Sequence, residues 1–326
     1  MMMYVEVVIG FVLLLGGAEF LVRGAVQVAA KLGLSALLIG MTVVAFGTSA
    51  PEFVVSLEAG LQGLPGIALG NVVGSNIANI LLILGATALL APVVVDTRAV
   101  IRDGLMVTGA TFVFLWMGYG GVITRPYGIV LVTLLVAYFA RSYLKERGDA
   151  SASAHLHERE ADEFQDLKMN TGLAWLVVAG GLAAVIYGAR LLVDGGSAIA
   201  REAGVPEEVI ALTLIAFGTS LPELAASTVA AFRGHTDVAI GNVIGSNLFN
   251  IMAVAGGVAV VTPLSVPGQM IAFDMWIMMA VTLVVLAYLA LGLRLTRREG
   301  VLFLGAYGLY VAAQAYGVDR TLALFG

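Results

Sequence analysis

Residues Ala45–Glu52 read AFGTSAPE: a glycine, two hydroxyls, a proline and a glutamate inside a segment otherwise apolar enough to cross a membrane. The same device returns as AFGTSLPE at Ala216–Glu223. An ionisable side chain within a span costs on the order of 2.5–3.5 kcal/mol on insertion scales and marks function by default. Pro51 and Pro222 lack the N–H that would satisfy a carbonyl one turn back, and Gly47 and Gly218 weaken the helix further. Carbonyls around Ala45–Thr48 and Ala216–Thr219 are therefore expected to be freed. Irregular backbone at membrane depth survives only where protein or a wet cavity satisfies it, so these carbonyls are expected to face a cation.

Composition agrees with a lipid-facing chain. Hydrophobic residues make up 60% and charged residues 12%, about half the charge of a soluble domain; mean hydropathy is +0.98. Cysteine is absent, which excludes disulfides and thiolate metal sites. No basic patch suggests a nucleic-acid partner. The N-terminal MMMYVEVVIG has no Lys or Arg ahead of its apolar run, unlike a cleavable signal peptide, and is expected to be a retained span.

A span needs about 20 mostly apolar residues. About ten such segments follow one another, near 3–29, 36–62, 66–91, 100–119, 124–143, 171–200, 208–232, 237–261, 270–293 and 299–317. The expected organisation is a five-helix repeat at 1–144, a solvent-exposed linker at 145–170 and a second five-helix repeat at 171–326. His155 and His157 in the linker are expected to be solvated rather than metal-bound. With both termini outside, twelve Lys and Arg fall in cytoplasmic loops, Arg233 among them, against Arg125, Arg201 and Arg320 outside. This bias places the linker in the cytoplasm.

The two halves superpose without a gap at an offset of 171 residues. GNVVGSNIANI (70–80) faces GNVIGSNLFNI (241–251), and about half of the positions from Ile39 to Ile80 match their partners. This is an internal duplication. An odd number of spans per half inverts the second relative to the first, a common transporter construction with broken helices at the midplane.

The motif residues supply oxygen only. Glu52 and Glu223 are carboxylates; Thr48, Ser49, Thr219 and Ser220 add hydroxyls. Ser75 and Asn79 lie four apart on one helix face, as do Ser246 and Asn250. Such a set suits a hard cation, Ca²⁺ or Na⁺, rather than zinc or copper. Asn71, Asn76, Asn242 and Asn247 read as packing or bridging residues. Glu19 with Arg23, and Arg190 with Asp194, are i,i+4 pairs expected to neutralise themselves within one helix. Glu58 is placed towards the outer end of its span, and Asp274 near an interface.

The paired GTS-x-PE and GN-x-x-GSN-x-x-N segments resemble the two alpha repeats of the Ca²⁺:cation antiporter superfamily, in its sodium/calcium exchanger branch. The motifs cover roughly 42 residues of each half, and the ten-span layout extends the likeness over essentially the whole chain. The resemblance implies that the second, third, seventh and eighth spans surround a row of cation sites. Glu52 and Glu223 would be carboxylates shared by Ca²⁺ and Na⁺; Ser49, Ser220, Thr48 and Thr219 would give hydroxyls; Ala45 and Ala216 would give backbone carbonyls; Ser75, Asn79, Ser246 and Asn250 would complete the ring. The first and sixth spans would slide, with Gly16, Gly17 and Gly188 allowing close contact. Asn250, where potassium-dependent relatives carry aspartate, argues against K⁺ co-transport.

The function expected is a secondary antiporter, with no cofactor beyond its transported ions, exchanging three Na⁺ for one Ca²⁺ by alternating access. Two carboxylates balance one Ca²⁺, and three Na⁺ leave one surplus positive charge, so the cycle would be electrogenic. The main alternative is a Ca²⁺/H⁺ antiporter, with a cation channel more remote. An intramembrane hydrolase would need a base beside Ser49 or Ser220, and no histidine or intramembrane lysine is near. The chain is expected to be a monomer in a prokaryotic plasma (inner) membrane. The short linker leaves no room for a regulatory Ca²⁺-binding domain.

Overall fold

The computed structural model describes residues 2–93, 97–148, 170–204, 216–291 and 294–318. The helices are α1 (Met2–Leu32), α2 (Ala36–Thr48), α3 (Ala50–Leu61), α4 (Pro65–Leu90), α5 (Thr97–Tyr119), α6 (Arg125–Gly148), α7 (Thr171–Glu202), α8 (Leu221–Phe232), α9 (Thr236–Val261), α10 (Met270–Tyr288) and α11 (Arg297–Tyr316). A helical turn at Ala216–Gly218 precedes α8. Among the described residues six helices are long and apolar enough to cross a membrane, or seven if α2 and α3 count as one bent span. His155, His157 and most of the expected linker lie outside the described residues, as do residues 208–215 of the seventh expected span and Arg320.

Local chemistry sets the helix ends. Ser35 caps α2 by accepting from the Leu38 N–H at 3.1 Å, and Asn170 caps α7 by accepting from the Leu173 N–H at 2.7 Å; each satisfies an otherwise orphaned donor. Thr296 and Glu299 form a reciprocal capping box on α11. Gly33 (φ 66°) and Gly63 (φ 73°) turn the chain after α1 and α3 in left-handed backbone that only glycine adopts without strain. Large apolar side chains such as Phe11, Phe112, Trp116 and Leu176 remain exposed, as lipid contact requires.

The break in the second span is centred on Ser49, not on Gly47. Ser49 has φ −85° and ψ 6°, and α2 and α3 meet there at 46°. Ser220 adopts almost the same conformation, φ −88° and ψ 0°, ahead of α8. Pro51 and Pro222 are each the second residue of the helix that follows, where a missing N–H costs nothing. They start helices rather than interrupt them. The Ala45 carbonyl is consequently not orphaned: it accepts from the Ser49 N–H at 3.0 Å and the Thr48 hydroxyl at 3.4 Å. Both of its lone pairs are thus engaged, the second only by the long Thr48 contact that a ligand would have to displace. Gly47 serves packing, since a Cβ there would lie 2.6 Å from Leu182.

The helices cluster into two compact units, Met1–Pro51 with Val136–Ser246, and Glu52–Leu135 with Asn247–Gly326. Each unit draws on both halves of the duplicated sequence.

In the first unit α1 packs antiparallel along α7 through a seam of small residues. A Cβ on Gly10 would come within 2.8 Å of the Gly188 carbonyl, one on Gly17 within 2.9 Å of the Gly181 carbonyl, and one on Gly24 within 2.9 Å of the Val178 nitrogen. Gly10, Gly17 and Gly24 repeat every seven residues, as do Gly181, Gly188 and Gly195, so each set keeps to one helix face. Gly17 and Gly188 sit in the seam as expected, but Gly16 does not: a Cβ there meets nothing within 4 Å. Leu14, Ala18, Val185, Ala189 and Ala225 form the adjoining core. Helix α6 runs through Gly148, so the expected linker begins as helix. Glu146 is docked rather than solvated, accepting from the Ser35 N–H at 2.9 Å and the Ser35 hydroxyl at 2.8 Å.

In the second unit α11 lies on the second part of α4, where a Cβ on Gly300 would approach the Gly85 carbonyl to 2.7 Å. Helix α5 packs on α10. Two loop pairs are joined through backbone: β1 (Val122–Ile123) pairs antiparallel with β2 (Leu264–Ser265), and Val93 bridges Leu295.

Candidate ion-binding site

In the first unit the motif residues of the two halves meet directly. The Ser49 hydroxyl donates to Glu223 Oε1 at 2.9 Å. Thr48 Oγ1 approaches Asn242 Oδ1 at 3.3 Å. Asn242 in turn donates to Ser227 Oγ at 2.9 Å and to the Glu223 carbonyl at 3.4 Å. Glu223 is only 2% exposed, on the first turn of α8, where the helix dipole favours negative charge. Ala216 opens the helical turn before Thr219 and Ser220; Ser246 lies fully buried on α9.

The second unit repeats the brace. Asn71 donates to Ser56 Oγ at 2.9 Å and to the Glu52 carbonyl at 3.2 Å. Glu52 is 1% exposed on the first turn of α3. Asn79 donates to Asn247 Oδ1 at 3.0 Å. Asn79 and Asn250 stand at the duplicated position where α4 and α9 loosen from α- to π-helix, at Asn79–Ile83 and Phe249–Ala255. Such π-turns gather at functional sites because they re-aim side chains out of helical register. Ser75 lies one turn before Asn79 and is likewise buried.

Several of these polar atoms are buried with no hydrogen-bond partner. They are Thr219 Oγ1, Glu223 Oε2 and Ser246 Oγ in the first unit, and Asn79 Oδ1 with both amide atoms of Asn250 in the second. Unsatisfied buried polar atoms are rare in folded proteins and call for a reason. Apart from the Asn250 amide nitrogen they are oxygens, the donor type that replaces water around a hard cation. Among the described residues no group of three or more His, Cys, Asp or Glu could hold a metal; the unpartnered oxygens named here are one carboxylate, two hydroxyls and two side-chain amides.

The expectations divide clearly. Asn71 and Asn242 are bridging residues, as read from sequence, and they hold the backbone of the two glutamates. Ser56 and Ser227, the acceptors in those braces, were missed; both lie four residues after a motif glutamate, a signal that the duplication offers. Glu19 does pair with Arg23, at 2.6 Å, but its other oxygen accepts from Arg233 at 2.7 Å. Glu19 thus links α1 to the turn after α8 instead of being neutralised within one helix. Arg190 and Asp194 sit 3.7 Å apart and largely exposed. Asp274 is buried and hydrogen-bonded to α11.

Duplicated membrane helices that break beside buried oxygens suit an ion-transport protein, and comparison with known proteins gives that class. The sequence model for "Sodium/calcium exchanger protein" matches residues 3–144 and 173–316, and the chain belongs to that family. It is 38% identical to the "Putative antiporter CaxA" of Alkalimonas amylolytica, over 92% of this chain and 95% of that one. It is 32% identical to the "Sodium/calcium exchanger MaX1" of Methanosarcina acetivorans, over 96% and 98%. A solved structure of the sodium-calcium exchanger NCX_Mj, soaked with zero Na⁺ and Ca²⁺, superposes with a TM-score of 0.82 at 30% identity, covering 95% of this chain and 98% of that one. The chain is therefore a multi-pass all-α membrane protein of about ten spans in two inverted five-helix repeats, a secondary antiporter of the exchanger type and not an enzyme.

Proposed function

We propose that the protein exchanges Ca²⁺ for Na⁺, with Ala45, Thr48, Ser49, Glu52, Ser75, Asn79, Ala216, Thr219, Ser220, Glu223, Ser246 and Asn250 as the residues that ligate the transported ions. The observation that carries this reading is the 2.9 Å bond from Ser49 to Glu223, which joins the motif of one half to that of the other beside buried oxygens without partners. The names of similar proteins support the same ions.

The proposed ratio is three Na⁺ per Ca²⁺. Two glutamates balance one Ca²⁺, and three Na⁺ leave a charge of +1, so the cycle is electrogenic. Asn250 adds no carboxylate, which supports independence from K⁺. Alternating access is proposed to involve α1 and α7, packed closely at their glycine seam, sliding across the helices that carry the motifs. The proposed location is a prokaryotic plasma (inner) membrane, with both termini outside, residues 145–170 cytoplasmic and the protein acting as a monomer.

The test is ⁴⁵Ca flux in proteoliposomes under imposed Na⁺, H⁺ and K⁺ gradients. A Na⁺ gradient should drive Ca²⁺ uptake that responds to membrane potential and ignores K⁺. Uptake driven by a pH gradient and not by Na⁺ would replace this reading with Ca²⁺/H⁺ exchange.

A further inference from the structure

The second unit contains a cavity of about 320 Å³ among α4, α10 and α11, lined by none of the residues named above as ion ligands. Its anionic group is Asp274, 7% exposed. Tyr310 donates to Asp274 Oδ1 at 3.2 Å, and Gln314 donates to the same oxygen. Asp274 Oδ2 accepts one long bond, 3.5 Å, from Gln269. That distance is at the limit of a hydrogen bond, which leaves Oδ2 with lone pairs to offer. Val73, Pro267 and Met270 add apolar surface to the lining.

The duplication shows what this carboxylate lacks. The residue 171 positions earlier is Asp103, also buried, which Arg102 holds through two bonds of 2.5 and 3.0 Å. The position matching Arg102 is Phe273, and among the described residues no Lys, Arg or His lines the cavity around Asp274. A buried carboxylate is costly unless a cation compensates it. In one half the chain supplies its own cation; in the other it supplies a cavity.

We propose that this cavity binds a primary ammonium group carrying a short alkyl chain. The ammonium has three donors, enough for Asp274 Oδ2 and the amide and phenol oxygens beside it, while Val73 and Met270 receive the alkyl carbons. The volume matches about ten waters, far more than a bare metal ion fills, and it falls at the small end of ligand pockets. A single carboxylate with neutral neighbours also provides too little charge for a divalent ion. The proposal does not depend on which ions the antiporter carries.

The experiment uses the full chain in detergent, in a Glu52→Gln/Glu223→Gln background so that cation effects at the transport residues are removed. Binding of n-propylammonium is followed by thermal-unfolding midpoint and calorimetry, with 1-propanol and Na⁺ as controls at matched ionic strength. Propylammonium should bind saturably and propanol should not. Asp274→Asn should weaken binding at least tenfold. Gly70→Leu should do the same while keeping every polar group, because Gly70 lines the cavity and a Cβ there meets nothing within 4 Å; it decides the matter if Asp274→Asn does not fold. Native mass spectrometry from mixed phosphatidylethanolamine and phosphatidylcholine vesicles tests the other source of the same chemistry. Several-fold preference for the ethanolamine lipid, lost in Asp274→Asn, makes a lipid headgroup the ligand. Absence of both saturable propylammonium binding and lipid preference, or binding unchanged in Gly70→Leu, overturns the proposal.

Discussion

Ser49 and Glu223 are 174 residues apart in sequence, and a 2.9 Å hydrogen bond joins them inside the first unit. The serine sits at the break between two helices, and the glutamate on the first turn of a third. A hydrogen bond to a charged group contributes about 1.5–3 kcal/mol. Ser49→Ala is therefore expected to weaken apparent Ca²⁺ affinity by about tenfold or more, read from the concentration dependence of ⁴⁵Ca uptake. A full-strength variant would show that this hydroxyl leaves the glutamate's ion interactions unchanged.

Glu52→Gln and Glu223→Gln keep side-chain volume and remove the charge. Each is expected to abolish Ca²⁺ exchange while leaving the elution profile and thermal midpoint near wild type, since burial of a neutral amide costs less than burial of a carboxylate. Near-normal flux in either variant contradicts the assignment of that residue.

Asn250→Asp introduces a third carboxylate at a fully buried position. The number of monovalent charges needed to balance the residues then rises by one. Ion coupling or pH dependence should change, measured as the shift in reversal potential under fixed Na⁺ and Ca²⁺ gradients. An unaltered profile would place Asn250 outside the ion-binding set.

The braces can be separated from the ions. Asn71→Ala and Asn242→Ala each remove a side chain that ties a glutamate-bearing helix to its neighbour. Each should lower stability by about 1–3 kcal/mol, visible as a reduced unfolding midpoint without added ions.

Two glycines in neighbouring spans should behave oppositely. Gly188→Ala puts a Cβ 2.6 Å from the Leu14 nitrogen and must push α1 and α7 apart; Gly16→Ala meets nothing within 4 Å and gains helix propensity. The first should destabilise the protein and slow exchange, and the second should leave both near wild type. Paired thermal unfolding and flux assays check the contrast.

The duplicated motif made much of this legible beforehand. One GTS-x-PE is weak, but two at one offset specify broken helices, inverted halves and oxygen ligands together. The location of the break was harder to read. Glycine and proline are the usual punctuators, yet here glycine makes room for Leu182 and proline begins a helix, so the irregular backbone falls on the serines between them. The glycine seam was readable in principle from its seven-residue spacing. The bond from Arg233 to Glu19 and the Tyr310 and Gln314 bonds to Asp274 were not, because their partners are distant in sequence and only packing brings them together.

The backbone pairing of Val93 with Leu295, and of Val122–Ile123 with Leu264–Ser265, has a mechanical consequence. Helices joined only by side-chain contacts can slip by small steps as rotamers change. A backbone ladder has no such intermediate positions, since register shifts only by whole residues. These two stitches therefore act as stops for the second unit, holding the loops before α5 and α11 in one register and those after α5 and α9 in another. Their amides, at Val93, Leu295 and Val266, should be among the slowest loop amides to exchange with deuterium.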